Sequence, residues 1–361
     1  MKIMHVLSSA AAGGAEIYVR DLAIHMSKQG HNIFLLFLDR SSEAGRDQAF
    51  EDDYLRQLDY HNICYDFIGQ SARRKPWRGV AALKRICHDF SPDVVHTHLY
   101  YAAIFSLLVP SIKVVYTHHN IRLGASRYIY KLLDMKVLRY VGICYACKKM
   151  LESVSRRRVV RIDNGVDVER LLPKESHSNH DNSLVVVSVG RLSEQKNLSL
   201  LIDALALVSV HNFTLKIAGE GPQRDSLEAQ VESLGLSSNV EFLGNVQGIN
   251  ALLYSADIFV MSSEWEGLPI AQIEATLTGL PVVVTNVGGC AEVVHRSVNG
   301  LVVDDRVPDE FARQLDILLT NHLLRQKLSE NALSYSSDYR IDVAANKHLD
   351  MYKEIVGNAI T

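Results

Sequence analysis

Two doubly wound α/β domains in tandem are the fold that the sequence predicts, on three observations. Short apolar runs alternate with helix-like segments through the first half of the chain. The alternation stops in a polar stretch without periodicity, then restarts and continues almost to the end. Strand-helix alternation of this kind builds parallel sheets with helices on both faces. A chain of 361 residues is long enough for two such domains, each with its own core.

The elements follow in order. Strand candidates in the first half are Ile3–Leu7, Ile33–Leu38, Ile63–Phe67, Val94–His96, Val114–Thr117 and Val141–Cys144. Between them, a helical pattern from Glu16 to Gln29 stops at Gly30, and Pro76 opens another that reaches Asp89. Residues 169–183, rich in Ser, Asn and His, read as a linker between a domain at 1–168 and a second at 184–338. Strand candidates there are Leu184–Val189, Thr214–Ala218, Val240–Leu243, Ile258–Met261, Val282–Thr285 and Leu301–Val303. Residues 339–361 hold a last helical pattern, expected to pack back toward the first domain. Ligands of doubly wound sheets bind outside the carboxyl ends of the strands. Two such sheets facing each other would enclose a cleft.

Composition narrows the class. Hydrophobic residues make up 47% and charged residues 22%, as in soluble globular proteins. The start, Met-Lys-Ile-Met-His-Val-Leu, reads as a first strand rather than an export signal. No run approaches the roughly 18 apolar residues of a membrane span. The five cysteines are scattered, which suits a reducing cytoplasm. Cys144-Tyr-Ala-Cys147 has no second pair, so it reads as two small buried residues at a strand end. Residues 1–170 hold 25 Lys and Arg against 17 Asp and Glu, whereas 171–361 hold 13 against 24. The asymmetry suggests that one half meets anions. Nothing points to nucleic acid.

Residues 262–289 carry the densest chemistry. The strand ending at Met261 runs into Glu264-Trp265-Glu266-Gly267-Leu268-Pro269, and a helix follows with Pro269 expected at its first position. A helix N-terminus attracts phosphate. Two carboxylates beside it, Glu266 and Glu274, would repel phosphate and so suit neutral hydroxyls. Phosphate plus many hydroxyls describes a nucleotide sugar. The strand ending at Val189 is followed by Gly190-Arg191-Leu-Ser-Glu-Gln-Lys196-Asn197. Arg191 as a forked donor and Lys196 as a point charge could hold a pyrophosphate there. Gly219-Glu220-Gly221-Pro222, with Pro222 expected to open a helix, and Phe242-Leu243-Gly244 close the next two strands. In the first half, Gly13-Gly14 follows strand one and allows a tight turn before a helix N-terminus. This is not a dinucleotide Gly-x-Gly-x-x-Gly, which counts against a dehydrogenase. His96-Thr-His98 and His118-His119-Asn120 end two strands, where histidine can bond hydroxyls or carry a proton.

The string Glu266 to Glu274, with Gly279-Leu-Pro281-Val-Val and Gly288-Gly289-Cys-Ala-Glu292, resembles the signature of retaining glycosyltransferases of family 4. The resemblance implies the GT-B architecture, two Rossmann-like domains facing a cleft. It implies transfer of a sugar from a nucleotide-sugar donor, with retention and without metal or other cofactor. Acceptors would be a hydroxyl of a glycan or lipid-linked saccharide, as in cell-surface polysaccharide or lipopolysaccharide synthesis. Carried over residue by residue, Arg191 and Lys196 hold the donor pyrophosphate, Glu266 the sugar hydroxyls and Glu274 the ribose diol. Gly13, Gly14, Gly190, Gly219, Leu243, Gly267, Leu268 and Pro269 complete the donor site. His119 is the matching sugar-side histidine, with His98 and Asn120 as acceptor-side candidates. Asn164-Gly-Val-Asp167 matches the turn that closes the first domain in relatives.

One departure stands out. Relatives carry Ser or Thr where Tyr145 stands here, so the next helix is expected to lack its usual cap. Two other readings remain open: a nucleotide-sugar epimerase of the same architecture, and a catalytically silent nucleotide-sugar-binding protein. Residues 122–161 hold eleven Lys and Arg against Asp134 and Glu152, interleaved with Tyr128, Ile129, Leu132, Leu133 and Tyr140. That pattern suits docking on an anionic membrane, which places the protein in the cytoplasm with peripheral attachment to the inner face.

Overall fold

The computed structural model describes residues 1–43, 45, 47–69, 71–171, 183–246 and 248–357. Most of the expected linker, residues 172–182, lies outside them. The chain forms two compact units, Met1–Gly165 with Ile341–Thr361, and Val166–Arg340.

The first unit is built on a seven-stranded parallel sheet. Its strands are β1 (Lys2–Leu7), β2 (Asn32–Phe37), β3 (Cys64–Phe67), β4 (Val94–Thr97), β5 (Val114–His118), β6 (Val137–Gly142) and β7 (Val159–Arg161), in the order β3-β2-β1-β4-β5-β6-β7. Chain order reverses between β1 and β4, which pair with His5 opposite His96. Both faces are covered, as parallel sheets require. On one face Met4, Val6 and Val95 pack with Leu83, Ile86 and Phe105, and Val114 and Tyr116 with Tyr130, Leu133 and Tyr140; the other face presents buried Ile3, His5 and His96, the last bonded to Tyr352. The helix Ile341–Gly357 belongs to this unit and packs on the helix Gly14–Lys28.

The second unit has six parallel strands, β8 (Leu184–Val189), β9 (Phe213–Ala218), β10 (Val240–Gly244), β11 (Ile258–Met261), β12 (Val282–Thr285) and β13 (Gly300–Val303), ordered β10-β9-β8-β11-β12-β13. Successive residues feed opposite cores. Val186 joins Leu201, Leu215 and Phe311, whereas Val187 joins Phe259, Val282 and Val284. The unit closes on itself where Val166 N–H donates to Tyr339 C=O at 2.8 Å.

Several elements differ from expectation. β6 starts at Val137, four residues before the expected strand, because half-buried Arg139 is neutralised by Glu354 of the last helix at 2.9 Å. β7 was not expected. The helix after β11 starts at Ile270, with Pro269 as its extended N-cap rather than its first residue. Pro222 sits in a turn, and the helix beyond it starts at Arg224. The helix Tyr145–Glu152 is capped after all: Cys144 Sγ accepts from Cys147 N–H at 3.4 Å.

Candidate active site

In the second unit the chain reverses between β8 and β11, so the loops after these strands lie side by side at the crevice where doubly wound sheets bind ligands. Gly190 to Asn197 comes from one loop and Ser262 to Pro269 from the other. They are stitched together: Glu264 N–H donates to Gln195 C=O at 2.8 Å, and Ser262 Oγ to Asn197 C=O at 2.9 Å. Lys196 Nζ reaches Glu266 Oε1 at 2.7 Å, and Ser263 Oγ donates to the same oxygen at 2.9 Å. Glu266 is buried, so its charge is held by a cation and a hydroxyl, as a buried carboxylate must be. Arg191 is exposed at the end of β8.

Glycines let the loops close on one another. A Cβ on Gly219, whose φ is +139°, would stand 2.0 Å from the Gly190 carbonyl oxygen; one on Gly288, at φ +51°, would stand 1.7 Å from the Glu266 carbonyl oxygen. No side chain fits either place. Gly219 N–H donates to Gly244 C=O at 2.7 Å, which ties the ends of β9 and β10 together and sets half-buried Leu243 beside them. Gly267 accepts from Gly289 N–H at 2.7 Å, and Leu268 and Pro269 are buried.

Glu274 is buried in the helix Ile270–Leu277, where Arg170 Nη2 donates to its Oε1 at 2.6 Å. Arg170, the partner of this candidate residue, is one that the sequence reading missed. It is 104 positions away and carries no motif of its own.

The remaining candidates belong to the first unit. Gly13 is the N-cap of the helix Gly14–Lys28, and Glu16 in its first turn accepts from Ser8 Oγ at 2.7 Å. His98 and His119 meet, Nδ1 to Nε2, at 2.9 Å. Asn120 Oδ1 accepts from Arg122 N–H at 3.1 Å, and its backbone carbonyl accepts from Cys147 Sγ at 3.1 Å. His118 has both ring nitrogens engaged, by Tyr116 OH at 2.8 Å and the Arg122 carbonyl at 2.9 Å.

His98 and His119 are part of a larger buried group with His5, His96 and His348, two of them, His5 and His348, unforeseen from sequence. His5 Nδ1 lies 3.1 Å from His98 Nε2. His96 bonds Tyr352 OH at 2.5 Å and Thr117 Oγ1 at 2.6 Å, and His348 bonds Tyr18 OH at 2.9 Å. Burial pushes His5, His119 and His348 down to about 3, and burial with neighbouring histidines holds His96 and His98 well below the ordinary value. All five are therefore neutral at pH 7. Nitrogens of His5, His96 and His98 come within 4.8 Å of one another, close enough to converge on a cation. Both nitrogens of His96 are already committed, which leaves two ligands where a closed site wants four.

The basic stretch is partly neutralised. Glu354 pairs with both Arg139 and Arg158, and Asp163 with Arg161. Leu133 and Tyr140, expected to face a membrane, are core residues, because the sheet face beneath needs them. Tyr128, Leu132 and Met135 are exposed, at 79%, 42% and 75%.

Comparisons with known proteins agree with the architecture. The model of the glycosyl transferases group 1 matches residues 172–335, and that of glycosyltransferase family 4 matches residues 12–170. The chain is 25% identical over 347 residues to the UDP-Gal:alpha-D-GlcNAc-diphosphoundecaprenol alpha-1,3-galactosyltransferase of Escherichia coli, covering 88% of each. It is 35% identical over 189 residues to an uncharacterized glycosyltransferase of Methanocaldococcus jannaschii, covering 51% of this chain and 48% of that one. Among solved structures, Anabaena HepE in complex with UDP and glucose superposes with a TM-score of 0.82 at 21% identity, over 98% of this chain and 100% of the other. With two parallel sheets of the GT-B type and two family models that between them account for residues 12–335, the chain belongs to the family 4 and group 1 glycosyltransferases.

Proposed function

We propose that this glycosyltransferase takes a hexose from a nucleotide-sugar donor and joins it, with retention at the anomeric carbon, to a hydroxyl of a glycan or lipid-linked acceptor, without a metal. The observation that carries the reading is the pairing of Lys196 with buried Glu266 at the switch point of the second sheet, beside exposed Arg191. Arg191 and Lys196 supply the two charges that a departing diphosphate needs, fixed before reaction begins. Glu266 offers its second carboxylate oxygen to sugar hydroxyls. Glu274, oriented by Arg170, accepts from the ribose diol. Backbone at Gly190, Gly219 and Gly267 lets the nucleotide approach, and the Gly13–Gly14 turn gives amides to phosphate. His119 bonds a hydroxyl of the transferred sugar. The Escherichia coli relative, named for a UDP-sugar and a diphosphoundecaprenol acceptor, supports the donor class and an acceptor of the lipid-linked type.

The test is product formation from labelled UDP-, GDP- and ADP-sugars with excess chelator present, and the anomeric configuration of the product read by NMR. A new α-glycoside formed in chelator is expected. Donor turned over without acceptor would indicate an epimerase. Activity lost in chelator and restored by a divalent ion would show that a metal takes part.

The same reading places the enzyme on the inner face of a membrane. No helix among the described residues is long and apolar enough to cross one. Tyr128, Leu132 and Met135, spaced four and three apart, line one exposed face of the helix Arg127–Leu133 and its end. Arg127, Lys131, Arg156 and Arg157 stand around it, the last two brought in by Asp134, which accepts from Arg156 N–H at 2.8 Å. Apolar side chains among cations suit an anionic interface, at about 1 kcal/mol for each cation engaged. Co-sedimentation with anionic vesicles is expected at low salt and lost at high salt. Changing Arg156, Arg157 and Arg158 to Ser should weaken it at least tenfold. Binding that ignores lipid charge and salt would leave the patch without this function.

A further inference from the structure

His119, His98 and His5 stand on three adjacent parallel strands or just beyond their ends, β5, β4 and β1. Their rings follow the spacing of the strands, with centroids 5.2 Å apart for His98 and His119 and 5.4 Å for His5 and His98. The contacts are nitrogen to nitrogen: His119 Nε2 to His98 Nδ1 at 2.9 Å, then His98 Nε2 to His5 Nδ1 at 3.1 Å. A neutral imidazole has one donor and one acceptor. Three in series can therefore be ordered in only two ways. Either every proton points from His5 toward His119, or every proton points the other way.

The ends decide between them. His5 Nε2 and His119 Nδ1 are buried atoms with no hydrogen-bond partner among the described residues. One must carry an unpaired proton and the other an unpaired lone pair. His5 is fully buried, whereas His119 is only half-buried at its strand end. Orphaned N–H groups in protein interiors are rarer than under-satisfied acceptors, and an unmade donor costs least at the end of the chain nearer the surface. That puts the bare lone pair on His5 Nε2 and the proton on His119 Nδ1.

We propose that the His5–His98–His119 chain fixes His119 as the Nδ1–H tautomer, so that it meets its ligand as a hydrogen-bond donor and not as a base. His5 and His98 are then positioning residues, one and two rings removed from the ligand. The ligand-facing half of this inference depends on the reading of His119 given above; the tautomer itself does not. The groups that act electrostatically on His98 are His96, His119, His5 and His348, and burial keeps them uncharged. The order is thus not scrambled by an extra proton at neutral pH.

The experiment is long-range proton–nitrogen NMR of the full chain labelled with 15N-histidine, with His119 assigned by loss of its signals in His119→Gln. Without ligand at pH 7, His119 should show a protonated Nδ1 and a bare Nε2. His5→Phe removes the donor that starts the chain, and should convert His119 to a mixture of tautomers and lower turnover about tenfold. His5→Asn keeps an amide N–H near the place of Nδ1 and should restore the single tautomer and most of the lost turnover. The wild-type spectrum decides even if both variants fail to fold. A protonated Nε2 on His119, or a mixture in the wild type, overturns the chain, as do signals that shift on adding chelator, which would mean a metal between His5 and His98. His119 signals unmoved by saturating UDP-glucose, under conditions where UDP-glucose raises the melting temperature, would overturn the ligand-facing half and leave the tautomer standing.

Discussion

Lys196→Ala is expected to lower sugar transfer by about 10²- to 10³-fold, the usual cost of removing one fixed group that stabilises developing negative charge. Arg191→Ala should fall in the same range. The two should differ in stability. Arg191 is exposed at the end of β8, so its loss should leave the melting temperature nearly unchanged. Lys196 is the cation at 2.7 Å from buried Glu266. Its removal leaves that carboxylate with Ser263 Oγ as its side-chain partner among the described residues, at a cost of about 1–3 kcal/mol. Initial rates and thermal unfolding of the two variants check both halves. Turnover near wild type in either would rule out the pyrophosphate role.

Glu274→Ala should weaken binding of the free nucleoside diphosphate about ten- to a hundredfold, because the ribose is common to donor and product. Glu266→Ala should leave that affinity within a few fold and instead reduce binding of the intact nucleotide sugar. The structure adds a third member to the comparison. Arg170 holds Glu274 at 2.6 Å, so Arg170→Ala should reproduce part of the Glu274→Ala loss. Calorimetric titration with the diphosphate and with the sugar donor separates the three. Equal losses for Glu266→Ala and Glu274→Ala on the free diphosphate would sink the division of labour.

The fold was legible because parallel strands buried on both faces are written as unbroken apolar runs, and Val-Val-Val at 185–187 or 282–284 can hardly be anything else. β7 escaped because it is three residues long and follows three arginines. β6 was displaced because Arg139 looks like a strand breaker until Glu354, 215 residues on, neutralises it. The placement of Arg191, Lys196 and Glu266 was readable because all three lie in the loops that follow β8 and β11. Arg170 was not, and neither were His5 and His348. His5 is hidden in an apolar strand and His348 in an ordinary helix, and nothing local marks them as neighbours of His96 and His98. The cap on the helix Tyr145–Glu152 was missed for a chemical reason. Cysteine is not counted among capping residues, yet its sulfur stands where a hydroxyl would.

The helix Ile341–Gly357 belongs to the first unit although it comes last in the chain, and through Tyr352 and His348 it closes over His96 and Tyr18. Domains usually finish folding in the order in which they leave the ribosome. Here that order is inverted. The second unit is continuous and has all its residues by Arg340, whereas the first, begun earlier, waits with its histidine-lined sheet face uncovered until residues 341–357 emerge. The half of the protein that is made first is therefore completed last, and during synthesis it is the half most in need of protection.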